Sequence, residues 1–144
     1  MMKQFVVLNE QAFAKGLRII VFPEGTRSVT LQEGRTGLAQ MALRMKKAIV
    51  PIGCNGCDLA YPGDAPWSMG GEIEYRIGEP LRPSGALAPF QIDEPFNPYT
   101  NEADAHASAF QGATGVVMKE IAALLDARYL AEGDAKVTGA KRFS

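Results

Sequence analysis

Histidine is almost missing from this chain: the 144 residues contain one, His106. Any chemistry that needs the commonest general base at neutral pH therefore rests on a single position. Cysteine is scarce as well, and two residues make no disulfide framework in a chain of this size. Charge of one sign is not in excess, since the net charge is −1. That removes the electrostatic case for nucleic acid, which needs a basic face, and the polybasic case for anionic membranes. No apolar run approaches the roughly 20 residues of a membrane-spanning helix. The first ten residues lack the apolar region and small-residue cleavage site of a signal peptide. The phosphate-loop and dinucleotide glycine patterns are absent, and so is a G-x-S-x-G nucleophile setting. What is left is ordinary globular composition, 47% apolar and 22% charged, at a length that suits one domain. The expected location is cytoplasmic, with contact at a membrane surface left open.

Periodicity gives the expected elements. Met2, Phe5, Val6, Ala12 and Phe13 fall on one face of a helix over 2–15, which Gly16 can close. The apolar run Leu17–Phe22 reads as a buried strand. Thr36 can cap a helix over 37–47, with Leu38, Met41, Ala42 and Met45 inward and cations at its end. Ala48-Ile49-Val50-Pro51-Ile52 reads as a second strand, parallel to the first through a βαβ connection. Residues 53–70 read as a long loop. Residues 71–78 alternate as a strand with Ile73, Tyr75 and Ile77 toward the core. Residues 79–100 hold five of the nine prolines and read as irregular but packed. Asn101 can cap a last helix, weakened at Gly112 and Gly115, with Val117, Ile121, Leu124, Leu125 and Tyr129 inward and Gly133 as its stop. The expected domain spans 1–135, followed by a loose tail over 136–144.

The stretch with the most chemistry is Phe22-Pro23-Glu24-Gly25-Thr26-Arg27-Ser28. It follows an apolar run, at the strand edge where open α/β sheets bind ligands. A carboxylate, a residue without Cβ, a hydroxyl and a guanidinium within four positions suit an anionic, hydroxyl-bearing ligand. The plainer reading is a turn with a Glu24–Arg27 surface ion pair. Elsewhere the plain readings are preferred. Cys54-Asn55-Gly56-Cys57 has zinc spacing, but a structural zinc needs four ligands and no second pair exists. A redox pair should open a long helix, whereas this one opens a Pro/Gly-rich loop. His106 reads as a helix-end residue, with Glu102, four positions back, as its one carboxylate neighbour on a helix. Asp93-Glu94 reads as a solvated loop pair. No metal site and no bound cofactor are expected.

Phe22–Ser28 resembles the third motif of the glycerolipid acyltransferases, the lysophosphatidic acid and glycerol-3-phosphate acyltransferases. Val50-Pro51-Ile52 is similar to their fourth motif, and Gly78-Glu79-Pro80 to a later strand end. The resemblance covers about residues 4–82. It implies an α/β fold of glycerol-3-phosphate acyltransferase type, with a small, mostly parallel or mixed sheet flanked by helices. It also implies a role in phospholipid biosynthesis, with acyl transfer from acyl-CoA or acyl-carrier protein to a lysophosphatidate or glycerol-phosphate hydroxyl. Glu24, Gly25, Thr26 and Arg27 would hold the phosphate-bearing acceptor; Val50, Pro51 and Ile52 would shape the acyl-donor side. A guanidinium fork suits phosphate, and glycine lets backbone approach it.

The family's catalytic His-x-x-x-x-Asp lies upstream of the phosphate loop, with a second motif and its arginine between them. Here 23 residues precede Glu24 and none is His; five positions past His106 stands Gln111. No catalytic residue is therefore assigned. The chain resembles the C-terminal part of the family domain, incomplete at its N-terminus. It is then a truncated product, a degenerate relative that binds phosphorylated glycerolipid or acyl chains without turnover, or one half of a two-chain enzyme. Uncovered sheet edges would favour self-association.

Overall fold

The computed structural model describes residues 2–63 and 67–130. Helix α1 spans Met2–Ala14, α2 Gly37–Arg44 and α3 Cys57–Ala60; strand β1 spans Ile52–Asn55, β2 Glu74–Ile77, and helix α4 spans Ala107–Ala123. Short 3-10 turns cover Ala88–Phe90, Asn101–His106 and Ala127–Tyr129. Gly133 and the tail over 136–144 lie outside the described residues.

Gly16 ends α1 as expected. It is left-handed (φ 74°), Leu17 N–H bonds Ala12 C=O at 3.0 Å, and Gly16 N–H bonds Phe13 C=O at 3.0 Å. This double closure satisfies carbonyls the helix would otherwise leave open. Helix α2 ends the same way without glycine: Lys46 takes φ 49°, and Lys47 N–H reaches Ala42 C=O at 2.9 Å. Thr36 does not cap α2. Its backbone is already helical and its side chain makes no cap bond; Thr36 Oγ1 instead accepts from Gln40 Nε2 at 3.4 Å.

The core lies between α2, α4 and the proline-rich segment. Leu43, Leu81, Leu87, Phe96, Phe110 and Val117 form its centre. The proline-rich segment is irregular and packed, as its composition suggested. Tyr99, left-handed at φ 63°, ties it to α2, with its N–H on Gln40 Oε1 at 2.7 Å and its hydroxyl on Gly37 C=O at 3.0 Å. Gly112 is a close approach rather than a weak point, since a Cβ there would lie 2.4 Å from Phe90 Cε1. Along the last helix Val117 is buried, while Ile121, Leu124 and Leu125 are half-buried.

The sheet departs from expectation. The chain is α/β in the general sense, but the sheet among the described residues has two strands and is antiparallel, not mostly parallel or mixed. Ile52 faces Ile77 and Cys54 faces Tyr75 in the register, and Ile49 bridges Leu81, also antiparallel. The expected parallel neighbour of 48–52 is therefore displaced by 77–81. Leu17–Phe22 forms no strand. Its Arg18–Val21 backbone makes no hydrogen bond among the described residues, and Ile20 and Phe22 are 82% and 80% exposed. An apolar run becomes a strand only where another backbone meets it.

Side-chain direction in β2 is also reversed. Tyr75 and Ile77 point outward, at 65% and 69% exposed, together with Ile52 at 47%. The face carrying Gly53 and Arg76 packs on the end of α4 instead. A Cβ at Gly53 would lie 2.7 Å from Leu124 C=O, and Arg76 Nη1 meets Asp126 at 2.8 Å. Glycine lets the helix end approach the strand, so the small-residue face wins over the apolar one. In α1, Phe5 is 46% exposed and Val6 half-buried, so the expected inner face is only partly covered.

Candidate functional site

The loop after Val21 is built by backbone ties. Gly25 N–H bonds Phe22 C=O at 3.1 Å with Gly25 left-handed at φ 69°, and Arg35 N–H bonds Pro23 C=O at 2.8 Å. Residues 23 and 35 are thus joined at the neck of the loop. Helix α4 is the platform beneath it. A Cβ at Gly34 would fall 2.7 Å from Met118 and 2.9 Å from Thr114, and Leu31 N–H bonds Tyr129 C=O at 2.8 Å. Gly34 therefore marks close packing on α4 as much as a turn.

Glu24 and Arg27 do not pair. Glu24 Oε2 accepts Gln32 N–H at 2.8 Å, while Arg27 Nη2 donates to Tyr61 C=O. The carboxylate holds the loop's return and the guanidinium leans toward the segment after α3. Gly25, Thr26 and Arg27 are exposed and Glu24 is half-buried. Periodicity and motif gave no sign of Arg35. Its Nε donates to Glu24 C=O at 3.3 Å, and its side chain crosses Gly25 so closely that a Cβ there would lie 2.9 Å from Arg35 Cδ. Gly25 thus makes room for a second guanidinium. The signal in the sequence was a cation just past the Gly34 turn, but only folding shows that it doubles back.

On the other assigned stretch, Pro51 is buried while Val50 and Ile52 are exposed; Pro51 C=O accepts Gly78 N–H at 3.0 Å. His106 lies elsewhere. It packs on Phe96 and Phe110 at 5.5 and 6.2 Å between ring centroids, and its Nε2 sits 3.6 Å from Glu94 Oε1. Glu102, the carboxylate four positions back, accepts Asn97 Nδ2 at 2.6 Å instead. Glu94 remains a solvated loop carboxylate, 74% exposed, as the sequence predicts. A shallow depression lined by Gln91, Glu94, His106 and Ala109 contains none of Glu24–Arg27.

Cys57 opens the one-turn helix α3 rather than a loop. Both thiols are free, and burial together with the neighbouring Cys57 pushes the Cys54 thiol upward. Tyr129 stitches this turn to the end of the chain's described part: its hydroxyl accepts Gly56 N–H at 2.7 Å and donates to Asp58 Oδ1 at 2.6 Å. Burial and the Asp58 bond push its own pKa up. Among the described residues no cluster of three or more His, Cys, Asp or Glu could hold a metal, and no helix is long and apolar enough to cross a membrane.

Residues 2–55 match the family model Acyltransferase. The match lies in the N-terminal part of this chain and ends before Gly78-Glu79-Pro80, so it is shorter than the stretch over which the motifs resemble the family. No curated protein and no solved structure matches the chain. The match supports acyl transfer as the general chemistry. Residues 2–55, which carry both the Phe22–Ser28 loop and Val50-Pro51-Ile52, are the part of the chain that is similar to the acyltransferase family model.

Proposed function

We propose that the Glu24–Arg27 loop binds the phosphate of a glycerol-phosphate or lysophosphatidate acceptor in an acyltransferase of phospholipid biosynthesis. The acyl group would come from acyl-CoA or acyl-carrier protein along the Val50-Pro51-Ile52 side. The observation that carries this reading is the pairing of two guanidinium groups with one glycine-built loop. Arg35 crosses Gly25 and bonds Glu24 C=O, Arg27 stands two residues on from Gly25, and the Glu24 carboxylate accepts Gln32 N–H rather than pairing with either guanidinium. Two guanidinium groups offer a phosphate monoester fork-shaped donors, with the opposing carboxylate already occupied. The chain's share of the site is acceptor binding and not proton removal. A non-catalytic binder of phosphorylated glycerolipid is the second reading, favoured by the packing of His106 against Phe96 and Phe110.

Titration of the chain with a short-chain lysophosphatidate tests the acceptor site. Arg27→Ala should weaken binding by about 1.5 kcal/mol, the low end for a charged hydrogen bond, because the side chain is exposed and screened. Arg35→Ala should act in the same direction, and a lysolipid without phosphate should bind parent and variants alike. Parent and Arg27→Ala with equal affinity would remove the acceptor role.

Self-association belongs to the same reading. The outward face of Ile52, Tyr75 and Ile77 and the unpaired backbone of Arg18–Val21 are the kinds of surface other chains cover. Sedimentation velocity should show a concentration-dependent species larger than the monomer, reduced in Tyr75→Lys. A clean monomer at high concentration, with no binding of a hydrophobic dye, speaks against it.

A further inference from the structure

The turn between Cys54 and Cys57 is held from every side. Asn55 is buried and fixed at both ends of its amide: Nδ2 donates to Leu124 C=O at 3.2 Å, and Oδ1 accepts Asp126 N–H at 2.8 Å. Gly56 is left-handed at φ 85°, its N–H is taken by Tyr129, and a Cβ there would lie 2.1 Å from Glu72 C=O. No other residue fits at this position. The left-handed residue bends the chain between β1 and α3, so Cys54 and Cys57 stand on the two sides of one tight turn, three positions apart. Cys57 is exposed and Cys54 half-buried. Burial first, and the neighbouring Cys57 second, push the Cys54 thiol upward. A metal would need further ligands, and the described residues offer no third one nearby.

We infer that Cys54 and Cys57 are a redox couple that closes to an intrachain disulfide in the presence of a peroxide. The exposed Cys57 thiol gives up its proton and the thiolate attacks a peroxide oxygen; the O–O bond breaks, the departing hydroxide takes up that proton, and Cys57 sulfenic acid and one water result. The Cys54 sulfur then attacks the Cys57 sulfur. The S–S bond forms, the S–O bond breaks, and a second water leaves with the Cys54 proton. Two thiols and one hydrogen peroxide become one disulfide and two waters, with two electrons passing from sulfur to peroxide.

The couple is wired to the loop. Helix α3 begins at Cys57 and runs directly into Tyr61, whose carbonyl accepts the Arg27 guanidinium. Within α3, Asp58 holds both Arg128 and the Tyr129 hydroxyl. A bond drawn at the first residue of a one-turn helix shifts what its far end holds, so oxidation loosens the Arg27 anchor. This second step rests on the proposed acceptor role of Arg27; the disulfide does not.

The test uses the purified chain, reduced, treated with hydrogen peroxide, and then alkylated with iodoacetamide before mass spectrometry. The expected peptide spanning Cys54 and Cys57 is lighter by two hydrogens and unalkylated, and dithiothreitol restores both alkylation sites. In Cys54→Ser, Cys57 should stop at sulfenic acid or a link between chains. Alkylation of both thiols after peroxide, a sulfinic acid at Cys57 beside an alkylated Cys54, or links only between chains would each overturn the couple. Lysophosphatidate titration then compares reduced and oxidised chain. Binding should weaken several-fold on oxidation in the parent and not in Cys57→Ser. A disulfide that forms while neither state binds leaves the couple standing and removes the acceptor reading. A disulfide with unchanged binding removes the wiring alone.

Discussion

Given acyl-CoA and lysophosphatidate, the chain by itself is expected to form no phosphatidate above the uncatalysed rate, at any pH from about 5 to 9, across which a histidine base would titrate. Acyl transfer to a hydroxyl needs its proton removed as the new bond forms, and a positioned base contributes about 10²–10⁴ in rate. In the glycerolipid acyltransferases that Phe22–Ser28 resembles, the base is a histidine oriented by an aspartate five residues on. This chain has one histidine, and Gln111 stands five residues beyond it. His106 packs beside the Phe96 and Phe110 rings, with Glu94 as its carboxylate neighbour, and none of these belongs to the Glu24–Arg27 loop. His106→Ala should therefore leave both the background rate and lysophosphatidate binding unchanged. Saturable turnover that vanishes in His106→Ala would show that the base is here after all. It would make Glu94, not an aspartate, the orienting group.

The largest effect on stability is expected at Phe110. Its side chain is 2% exposed and is among the largest fully enclosed in the core, packed at a tilt of 49° on Phe96 with ring centroids 5.3 Å apart. Phe110→Ala should cost about 3–5 kcal/mol, the transfer of the ring plus the cavity it leaves. A small domain holds roughly 5–15 kcal/mol in total, so the variant should unfold at low denaturant or be largely unfolded in water. Urea titration followed by circular dichroism reads this directly. Ile20→Ala makes the contrast. Ile20 is 82% exposed, and its loss should change stability by less than about 0.5 kcal/mol. A Phe110→Ala midpoint equal to that of Ile20→Ala would place the core elsewhere than between α2, α4 and the proline-rich segment.

These two variants also show where reading along the chain succeeds. Helix periodicity in α2 and in the second half of the last helix reflects contacts three and four residues apart, and Met41, Ala42 and Val117 are buried as the pattern requires. Gly16 stops α1 because left-handed closure is a local matter of a few backbone bonds. That Phe22–Ser28 forms a loop was equally legible, since Pro23 and Gly25 lie close together in the chain. Ile20 and Tyr75 show where such reading fails. Apolar alternation says that a strand has two unlike faces. It does not say which neighbour arrives, and here the glycine face met α4 first.

The sequence by itself determined α1, α2 and the middle of the last helix, the packed proline-rich segment, the position of the Phe22–Ser28 loop and the lack of a His-x-x-x-x-Asp pattern in these 144 residues. All of these depend on residues close together in the chain or on simple presence and absence. Only the tertiary structure decided that the sheet is a two-stranded antiparallel pair, and that Glu24 bonds Gln32 while Arg27 reaches Tyr61. It also decided that Arg35 lies across Gly25, and that Tyr129 closes the turn between Cys54 and Cys57. Each of these joins residues from eight to more than seventy positions apart. Backbone donors and charged side chains take whichever acceptor the packed core brings within reach, and no local pattern encodes that choice.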